Sequence, residues 1–176
     1  TVAVPLAPRM LAALLALDAR LAGADVDWLL VGGAARALAG SAHRPGDLDV
    51  EVAPDDRERA AAAIGAVGAV RRDARVRSWY AAGRIAGVTI ELCTDLSVTG
   101  PELSLPADWE IQRRWAAPLA VAGRTIAAAP PEELLVRALV GGNLTGLRRR
   151  LEPDLPAPRA AYFAARLAAA TSSASA

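Results

Sequence analysis

Lysine is absent from this sequence. All 20 basic residues are arginine, and 19 acidic residues leave a formal net charge of +1. A chain this close to neutral has no overall electrostatic reason to bind nucleic acid. Any role that other proteins give to lysine must here be played by arginine or be absent. The high alanine and arginine content is typical of a GC-rich genome rather than of a particular function.

Cysteine and histidine are nearly absent as well. The single cysteine, Cys93, excludes a disulfide within the chain and fits a reducing cytoplasm, so we expect it to pack as a small hydrophobic residue. The single histidine, His43, lacks partners for a His/Cys metal site or a catalytic triad. We expect it to line the mouth of a site or simply to lie in a loop. The longest uncharged stretch, residues 60–70, is well short of the roughly twenty apolar residues that cross a bilayer, so no membrane contact is predicted.

The most informative segment is residues 28–52. A short apolar strand over residues 28–31 leads into Gly32-Gly33, a helical stretch follows over residues 34–38, and carboxylates alternate with apolar residues over residues 47–52. Because strand side chains alternate between faces, Asp47 and Asp49 must project from the same face. Two adjacent carboxylates repel each other, and Mg²⁺, which accepts one or two carboxylates plus water and phosphate oxygens, is a common compensation. The glycines would let backbone N–H groups and a helix start approach a phosphate closely.

This ordered combination resembles the signature of the DNA polymerase β-like nucleotidyltransferase superfamily, in which a hydrophobic residue and Gly-Gly or Gly-Ser precede an Asp-x-Asp strand. The resemblance covers about the first third of the chain well. It implies a Mg²⁺ or Mn²⁺ cofactor and three catalytic, metal-binding carboxylates, namely Asp47, Asp49 and Glu91. Glu91, which lies in a run of β-branched residues, is the preferred third carboxylate. The competing candidates are Glu51, further along the strand of Asp47 and Asp49, and Asp95, near the end of the strand of Glu91. A phosphatase of the haloacid dehalogenase type is excluded because a loop, not a hydrophobic strand, precedes Asp47.

The same resemblance implies a nucleotide site. Its nucleotide-binding residues would be Gly32, Gly33, Arg36, Arg44 and Arg137. The glycines would cradle the triphosphate, and the arginines would clamp its phosphates. Residues 130–142 resemble a helix of small nucleotidyltransferases of the antibiotic-resistance and type IV toxin–antitoxin kinds, in which a lysine often stands where this chain has Arg137. Those proteins continue with a segment that contains acids, whereas residues 143–150 contain none.

We predict an α/β (α+β) nucleotidyltransferase fold with a mixed or mostly antiparallel sheet, helices packed on it and C-terminal helices closing the cleft. Residues 1–128 would form the core, residues 129–170 a helical extension of the same domain, and residues 171–176 a disordered tail. The pattern predicts helices at residues 10–21, 54–66, 132–140 and 158–170. It predicts strand pairs at residues 76–81 with 84–94 and at residues 119–121 with 125–128.

The predicted function is metal-dependent transfer of a nucleoside monophosphate from a nucleoside triphosphate, with ATP among the candidates, to a hydroxyl group. The acceptor is a tRNA, a protein or a small antibiotic, and a toxin with an antitoxin protein as partner fits the compact chain. The alternative is a catalytically degenerate module that binds a nucleotide or a protein partner and retains the fold.

Arginines also cluster around the predicted hairpin, namely Arg71, Arg72, Arg75, Arg77 and Arg84. Period-two spacing places Arg75, Arg77 and Trp79 on one face, where the indole would offer a stacking surface to tRNA. The competing interpretation is an arginine-rich edge strand that discourages pairing with other chains.

Overall fold

The computed structural model describes residues 6–73, 76–100, 104–140 and 157–173. Its helices are α1 (Pro8–Gly23), α2 (Gly32–Leu38), α3 (Arg57–Ala63), α4 (Trp109–Arg114), α5 (Pro131–Val140) and α6 (Ala160–Ser173), and a 3₁₀ turn (Pro54–Asp56) precedes α3. Its strands are β1 (Trp28–Val31), β2 (Asp47–Val52), β3 (Ala69–Arg72), β4 (Val76–Ile85), β5 (Val88–Thr99), β6 (Ser104–Pro106), β7 (Ala117–Val121) and β8 (Arg124–Ala128).

The described strands form a single mixed sheet. Its order is β3-β4-β5-β2-β1-β8-β7, and β6 pairs with the far end of β5. The pairs β2–β5 and β1–β8 are parallel, whereas the other pairs are antiparallel. The acidic strand β2 and the central strand β1 therefore lie in the middle of the sheet, where both faces must be covered or compensated.

One face of the sheet is covered by α1, α2 and α3. The buried positions of α1 are Met10, Ala13, Leu14, Leu17 and Leu21, a spacing of three and four residues that places them on one helical face. They pack against the apolar members of β2 and β5, among them Leu48, Val50 and Ile90. The alternating residues of β2 therefore divide cleanly. The apolar side chains form the core, and the carboxylates are directed to the opposite face.

That opposite face carries a buried charge network, which we define as Glu51, Gln112, Glu133, Arg137, Tyr162 and Arg166. Arg137 donates to Glu51 at 2.9 Å and to Glu133 at 3.1 Å, and Gln112 donates to Glu51 at 2.9 Å. Arg166 donates to Glu133 at 2.8 Å, and the Tyr162 hydroxyl donates to the same carboxylate at 2.6 Å. The network joins β2 to α4, α5 and α6, and its two carboxylates and two guanidinium groups balance in charge.

A further buried carboxylate, Glu132, forms an ion pair with Arg159 beside this network. Glu132 is 1% exposed and accepts hydrogen bonds from the backbone N–H and the guanidinium of Arg159, at 2.8 and 2.7 Å. Burial acts to raise the pKa of Glu132, but the hydrogen bonds and charge of Arg159 outweigh it and hold the pKa below its usual value. The guanidinium also lies 5.1 Å from the Trp115 ring centroid. Glu132 and Glu133, in the first turn of α5, therefore both form ion pairs with α6 or with the residue just before it.

The predicted mixed α/β fold is confirmed. The elements β1, α2, β2 and α5 lie where the sequence predicts them, and the strand pair β7–β8 forms the second hairpin. The first hairpin was predicted with wrong bounds, because its turn is at Ala86-Gly87 and not at residues 82–83. Both turn residues have positive φ, 49° and 73°, whereas Gly83 lies within β4. The division of the chain at residue 128 stays a prediction.

Other details of the predicted elements were wrong or incomplete. The helix predicted for residues 54–66 divides into the 3₁₀ turn and α3, and α6 extends to Ser173, three residues into the predicted tail. The short elements β3, β6 and α4 were not predicted. Residues 141–150, with the predicted helix end and three arginines, lie outside the described residues. No helix in the described part of the chain is long and apolar enough to span a membrane.

Removing the central guanidinium of the network should destabilise the protein strongly. We expect Arg137→Ala to lower the free energy of unfolding by about 3–5 kcal/mol, because it leaves Glu51 and Glu133 buried without their counter-charge. The matched control is Arg124→Ala, which removes a more exposed partner of Asp18 and should cost at most about 1 kcal/mol. Urea denaturation followed by circular dichroism measures both. Equal losses in the two variants would contradict the role given to the network.

Candidate active site

The predicted acids meet on the face opposite α1. In the parallel pair β2–β5, Asp49 is the register partner of Glu91, and Asp47 is the partner of Thr89. Neighbouring strands lie about 4.8 Å apart, so the Asp49 and Glu91 carboxylates leave the sheet side by side. Asp47 follows on the same face of β2, two residues away. The structure thus brings together the three acids that the sequence singled out.

Burial and the neighbouring acids both disfavour the charged form of the central acid. Burial, which is the larger cause, and the negative charges of Asp47 and Glu91 together raise the pKa of Asp49 from 3.8 to about 6. A hydrogen bond from the backbone N–H of Gly33 opposes the shift and does not cancel it. The cluster therefore holds more negative charge than its own surroundings neutralise, which is the condition that a bound cation relieves.

The glycine turn that begins α2 lies directly against Asp49. Gly32 has φ = +65°, and a Cβ atom at this position would lie 1.9 Å from Asp49 Oδ2. Glycine is thus required here by both backbone conformation and space. A Cβ atom on Gly33 would lie 2.7 Å from Nε2 of the exposed His43. The imidazole therefore lies over the turn.

The three predicted phosphate-binding arginines are placed differently. Arg36 is partly buried on α2, one turn beyond the glycines, and Arg44 is exposed in the loop that leads into β2. Both lie on segments that flank the acids. Arg137 instead belongs to the buried charge network, where Glu51 and Glu133 raise its pKa against the opposing effect of burial. Its direct contact with a nucleotide phosphate stays a prediction.

The competing candidates for the third carboxylate are engaged elsewhere. Glu51 is 2% exposed and bound by Gln112 and Arg137. Asp95 has φ = +51° and forms an exposed ion pair with Arg57 at 3.1 Å. Glu91 is partly buried beside Asp49. Of these acids on β2 and β5, Glu91 is the register partner of Asp49, and its role as the third carboxylate stays a prediction.

A cavity of about 310 Å³ adjoins Glu91 on its β4 side. Its lining includes Asp49, Arg71, Ser78, Tyr80 and Cys93. Burial raises the pKa of Tyr80, as does a hydrogen bond to Glu91. Burial also raises the pKa of the Cys93 thiol to about 12, with Glu51 acting in the same direction, so Cys93 stays protonated and inert at neutral pH.

Tyr80 was not predicted as a site residue. Trp79, one of the predicted stacking surfaces for tRNA, is 5% exposed and belongs to the core. Alternation along β4 places the neighbouring Tyr80 on the acidic face instead. Alternation in the sequence separates the faces of Trp79 and Tyr80, but only the structure shows that Trp79 is the buried one. Arg75 lies outside the described residues.

The donors suit a hard, oxygen-preferring cation. The described part of the chain contains no group of three or more His, Cys, Asp or Glu side chains already arranged as a metal cage. Asp47 and Asp49 instead form a two-carboxylate edge with Glu91 next to it, and a uniformly oxygen donor set favours Mg²⁺ or Mn²⁺ over zinc. Mg²⁺ typically completes such an edge with water and substrate phosphates.

Comparison with known proteins identifies the fold. No protein-family model matches the chain, and a search of curated proteins finds no match. Among solved structures, a candidate nucleotidyltransferase from Thermotoga maritima superposes with a TM-score of 0.67 at 17% identity, over 81% of this chain and 91% of that chain. The antibiotic-resistance factor ANT(2″)-Ia in solution superposes with a TM-score of 0.54 at 14% identity, over 94% and 93% of the two chains. The chain therefore shares the fold of these two proteins.

Asp47→Asn should stabilise the metal-free protein at neutral pH. Because the pKa of Asp49 is raised, the folded state binds more protons than the unfolded state between pH 3.8 and about pH 6. The free energy of unfolding therefore falls as the pH rises through this range. Removing the Asp47 charge lowers that pKa, so we expect a gain of up to about 1 kcal/mol, or roughly 2–4 °C in Tm, at pH 7.5 in EDTA. At pH 4.5 the gain should be much smaller.

Differential scanning calorimetry at the two pH values measures this effect, with Asp55→Asn as an exposed acidic control outside the cluster. Adding Mg²⁺ at pH 7.5 should raise the Tm of the wild type and of the control, and leave that of Asp47→Asn nearly unchanged. A metal-free Asp47→Asn protein less stable than the wild type at pH 7.5 would contradict the repulsion.

Gly32→Ala should damage the cation site beyond its effect on the backbone. The added methyl group meets the Asp49 carboxylate, so we expect the Mg²⁺-dependent rise in Tm to disappear. Gly123→Ala is the matched control, since Gly123 has φ = +78° and open space around its Cβ position. Both variants should lose about 1–2 kcal/mol through left-handed strain, and only Gly123→Ala should keep the response to Mg²⁺. Retention of that response by Gly32→Ala would show that Asp49 is not needed for it.

Proposed function

We propose that this protein is a metal-dependent nucleotidyltransferase that moves a nucleoside monophosphate from a nucleoside triphosphate to an acceptor hydroxyl. The observation that carries the proposal is the convergence of Asp47, Asp49 and Glu91 beside the Gly32-Gly33 turn. The fold alone does not establish an activity. Three clustered acids next to a glycine turn suit the binding of a cation together with phosphate.

The reaction assigns a separate task to each group. The acceptor oxygen attacks the α-phosphorus, a new O–P bond forms, the bond between the α-phosphorus and the bridging oxygen to the β-phosphate breaks, and pyrophosphate leaves. When bound, Mg²⁺ or Mn²⁺ would stabilise the charge on the phosphate oxygens. Asp47 and Asp49 would hold the cation. The Glu91 carboxylate would accept the proton from the attacking hydroxyl, as a general base adjacent to the reacting atom.

Nucleotide binding would use groups on both sides of the acids. The Gly33 N–H donates to Asp49, and the lack of side chains on the two glycines would let the backbone of the turn approach a triphosphate. Arg36 and Arg44 would supply charge to the phosphates. We assign Arg137 a positioning role, because its bonds to Glu51 hold the end of β2 rather than the open part of the site.

The finer features of the function belong to the same proposal. ATP is our first candidate donor, and the acceptor is a nucleic acid, a protein or a small antibiotic. The structural neighbour ANT(2″)-Ia is named as an antibiotic-resistance factor, which makes an antibiotic acceptor worth testing here. A toxin neutralised by an antitoxin protein is a further form of the same chemistry.

A degenerate binding module is the second candidate. The specific observation in its favour is that Arg137 is committed to two carboxylates, whereas the C-terminal resemblance would place it at the phosphates. The two candidates share the fold and differ in whether a nucleotidyl group leaves the triphosphate. Binding and turnover must therefore be measured separately.

Calorimetric titration of the four nucleoside triphosphates with Mg²⁺, into wild type and Asp47→Asn/Asp49→Asn, tests the proposal. We expect one nucleotide to bind the wild type in a metal-dependent manner and binding to fall at least tenfold in the double variant. Asp55→Asn should bind as the wild type does. Release of pyrophosphate in the presence of an acceptor should be lost in Glu91→Gln while nucleotide binding remains. Metal-dependent binding with no transfer to any acceptor class would favour a degenerate nucleotide-binding module, and no binding would exclude the enzyme and favour a module that binds a protein partner.

A further inference from the structure

The register of β2, β5 and β4 places basic and aromatic residues on the same face as the acids, toward β4. Across β2, β5 and β4, the row that contains Asp47 continues through Thr89 to Arg84, and the row that contains Asp49 continues through Glu91 to Ala82. The third row runs from Glu51 through Cys93 to Tyr80. All these side chains share one face. Arg84 thus lies two strands, or about 10 Å, from Asp47.

Two exposed arginines lie on the β3 and β4 side of the acids: Arg71 at the cavity beside Glu91, and Arg84 at a separate cavity by the β4–β5 turn. Arg71 on β3 lines the cavity, and its guanidinium lies 4.9 Å from the centroid of the Tyr80 ring. Arg84 is exposed on β4 and donates one hydrogen bond, of 3.0 Å, to the turn carbonyl of Gly87. Neither forms an ion pair among those identified in the described part of the chain. Both guanidinium groups are therefore accessible to an anion.

The walls of the cavity indicate what it would accept. Apart from Asp49 and Glu91, the described acid in its lining is Asp73, which accepts a hydrogen bond from the Val76 N–H at 2.7 Å as part of a turn. The stacked Arg71–Tyr80 pair presents a flat surface, and such surfaces bind nucleobases. The volume of about 310 Å³ lies at the small end for ligand pockets. It suits one nucleoside better than a polycationic antibiotic of several rings.

We propose that the acceptor is the 3′-terminal nucleotide of a single-stranded nucleic acid. Its base would lie against the Arg71–Tyr80 pair, and the phosphates of the strand would lie on Arg71 and Arg84. This inference rests on the proposed nucleotidyl transfer. The terminal 3′ oxygen forms the new bond to the α-phosphorus, its proton passes to Glu91, and pyrophosphate leaves with the electron pair of the broken bond.

Tyr80 has a second role in this arrangement. Its hydroxyl is bonded to Glu91, so the residue that holds the terminal base also orients the carboxylate that receives the proton. The ring and the hydroxyl can be separated by substitution. Tyr80→Phe keeps the stacking surface and removes the bond to Glu91, whereas Tyr80→Ala removes both.

The test combines strand binding with nucleotide binding on the full chain. Fluorescence anisotropy of a 5′-labelled 12-nucleotide single-stranded RNA is measured over a range of salt concentrations, without triphosphate. We expect Arg71→Ala/Arg84→Ala to lower the slope of log K against log salt by about 1.4, or about 0.7 for each lost phosphate contact. Tyr80→Ala should weaken binding on the order of tenfold, and Tyr80→Phe should bind as the wild type does. Arg113→Ala/Arg124→Ala, which removes two arginines from exposed ion pairs with acids, is the matched control and should leave the slope unchanged.

Extension of the same RNA with α-labelled triphosphate is then followed, with a 3′-phosphorylated RNA and a free mononucleotide as comparison substrates. We expect the free 3′ end to gain one labelled nucleotide, the blocked end to bind without extension, and the mononucleotide to be a poor acceptor. Tyr80→Phe should reduce the rate of extension with little change in the RNA concentration at half-maximal rate. Triphosphate binding should be equal in wild type and Arg71→Ala/Arg84→Ala.

The outcomes separate this inference from the proposed function. Triphosphate binding without RNA binding, or transfer to an antibiotic or a protein but not to RNA, would overturn the inference and leave nucleotidyl transfer standing. RNA binding that is unchanged in Arg71→Ala/Arg84→Ala would overturn the assigned surface. Absence of triphosphate binding would overturn both proposals.

Discussion

Compensation of the charged face of β2 is the constraint on which the rest of the structure depends. This strand lies inside the sheet and directs Asp47, Asp49 and Glu51 to one face. Glu51 is compensated by Arg137 and Gln112, and these contacts attach α4 and α5 to the sheet. Asp49 receives a backbone N–H from Gly33 and still keeps a raised pKa. The same alternating pattern therefore produces a closed structural contact at one end of the strand and an electrostatically incomplete site at the other.

The chemical character of the site changes stepwise across the sheet. From β1 toward β3, the residues change from a glycine turn, to clustered carboxylates, to a tyrosine and exposed arginines. This order corresponds to a donor phosphate, a reacting centre and an acceptor in the proposed reaction. A nearly neutral overall charge hides this gradient, because the net charge sums over regions of opposite sign.

Local alternation explains what could be predicted from the sequence. The period of two along β2 and the glycine turn before it identify Asp47, Asp49 and their neighbourhood, because each depends on residues close together in the chain. The contacts of Glu51 with Arg137 and of Arg166 with Pro106 join residues that are 86 and 60 positions apart. No local pattern specifies such partners. The prediction of Trp79 as an exposed stacking surface was wrong for a different reason. Alternation places Trp79 and Tyr80 on opposite faces but does not show which face is the core.

The buried charge network also affects how the protein responds to heat. Hydration of charged groups carries a strongly negative entropy, so the penalty for keeping two carboxylates and two guanidinium groups out of water decreases on warming. Apolar packing of α1 against the sheet gains no comparable advantage at high temperature. The junction between the C-terminal helices and the acidic face should thus weaken less with temperature than the core behind it. Arginine supports this well, because its guanidinium remains protonated at every pH at which the protein is folded.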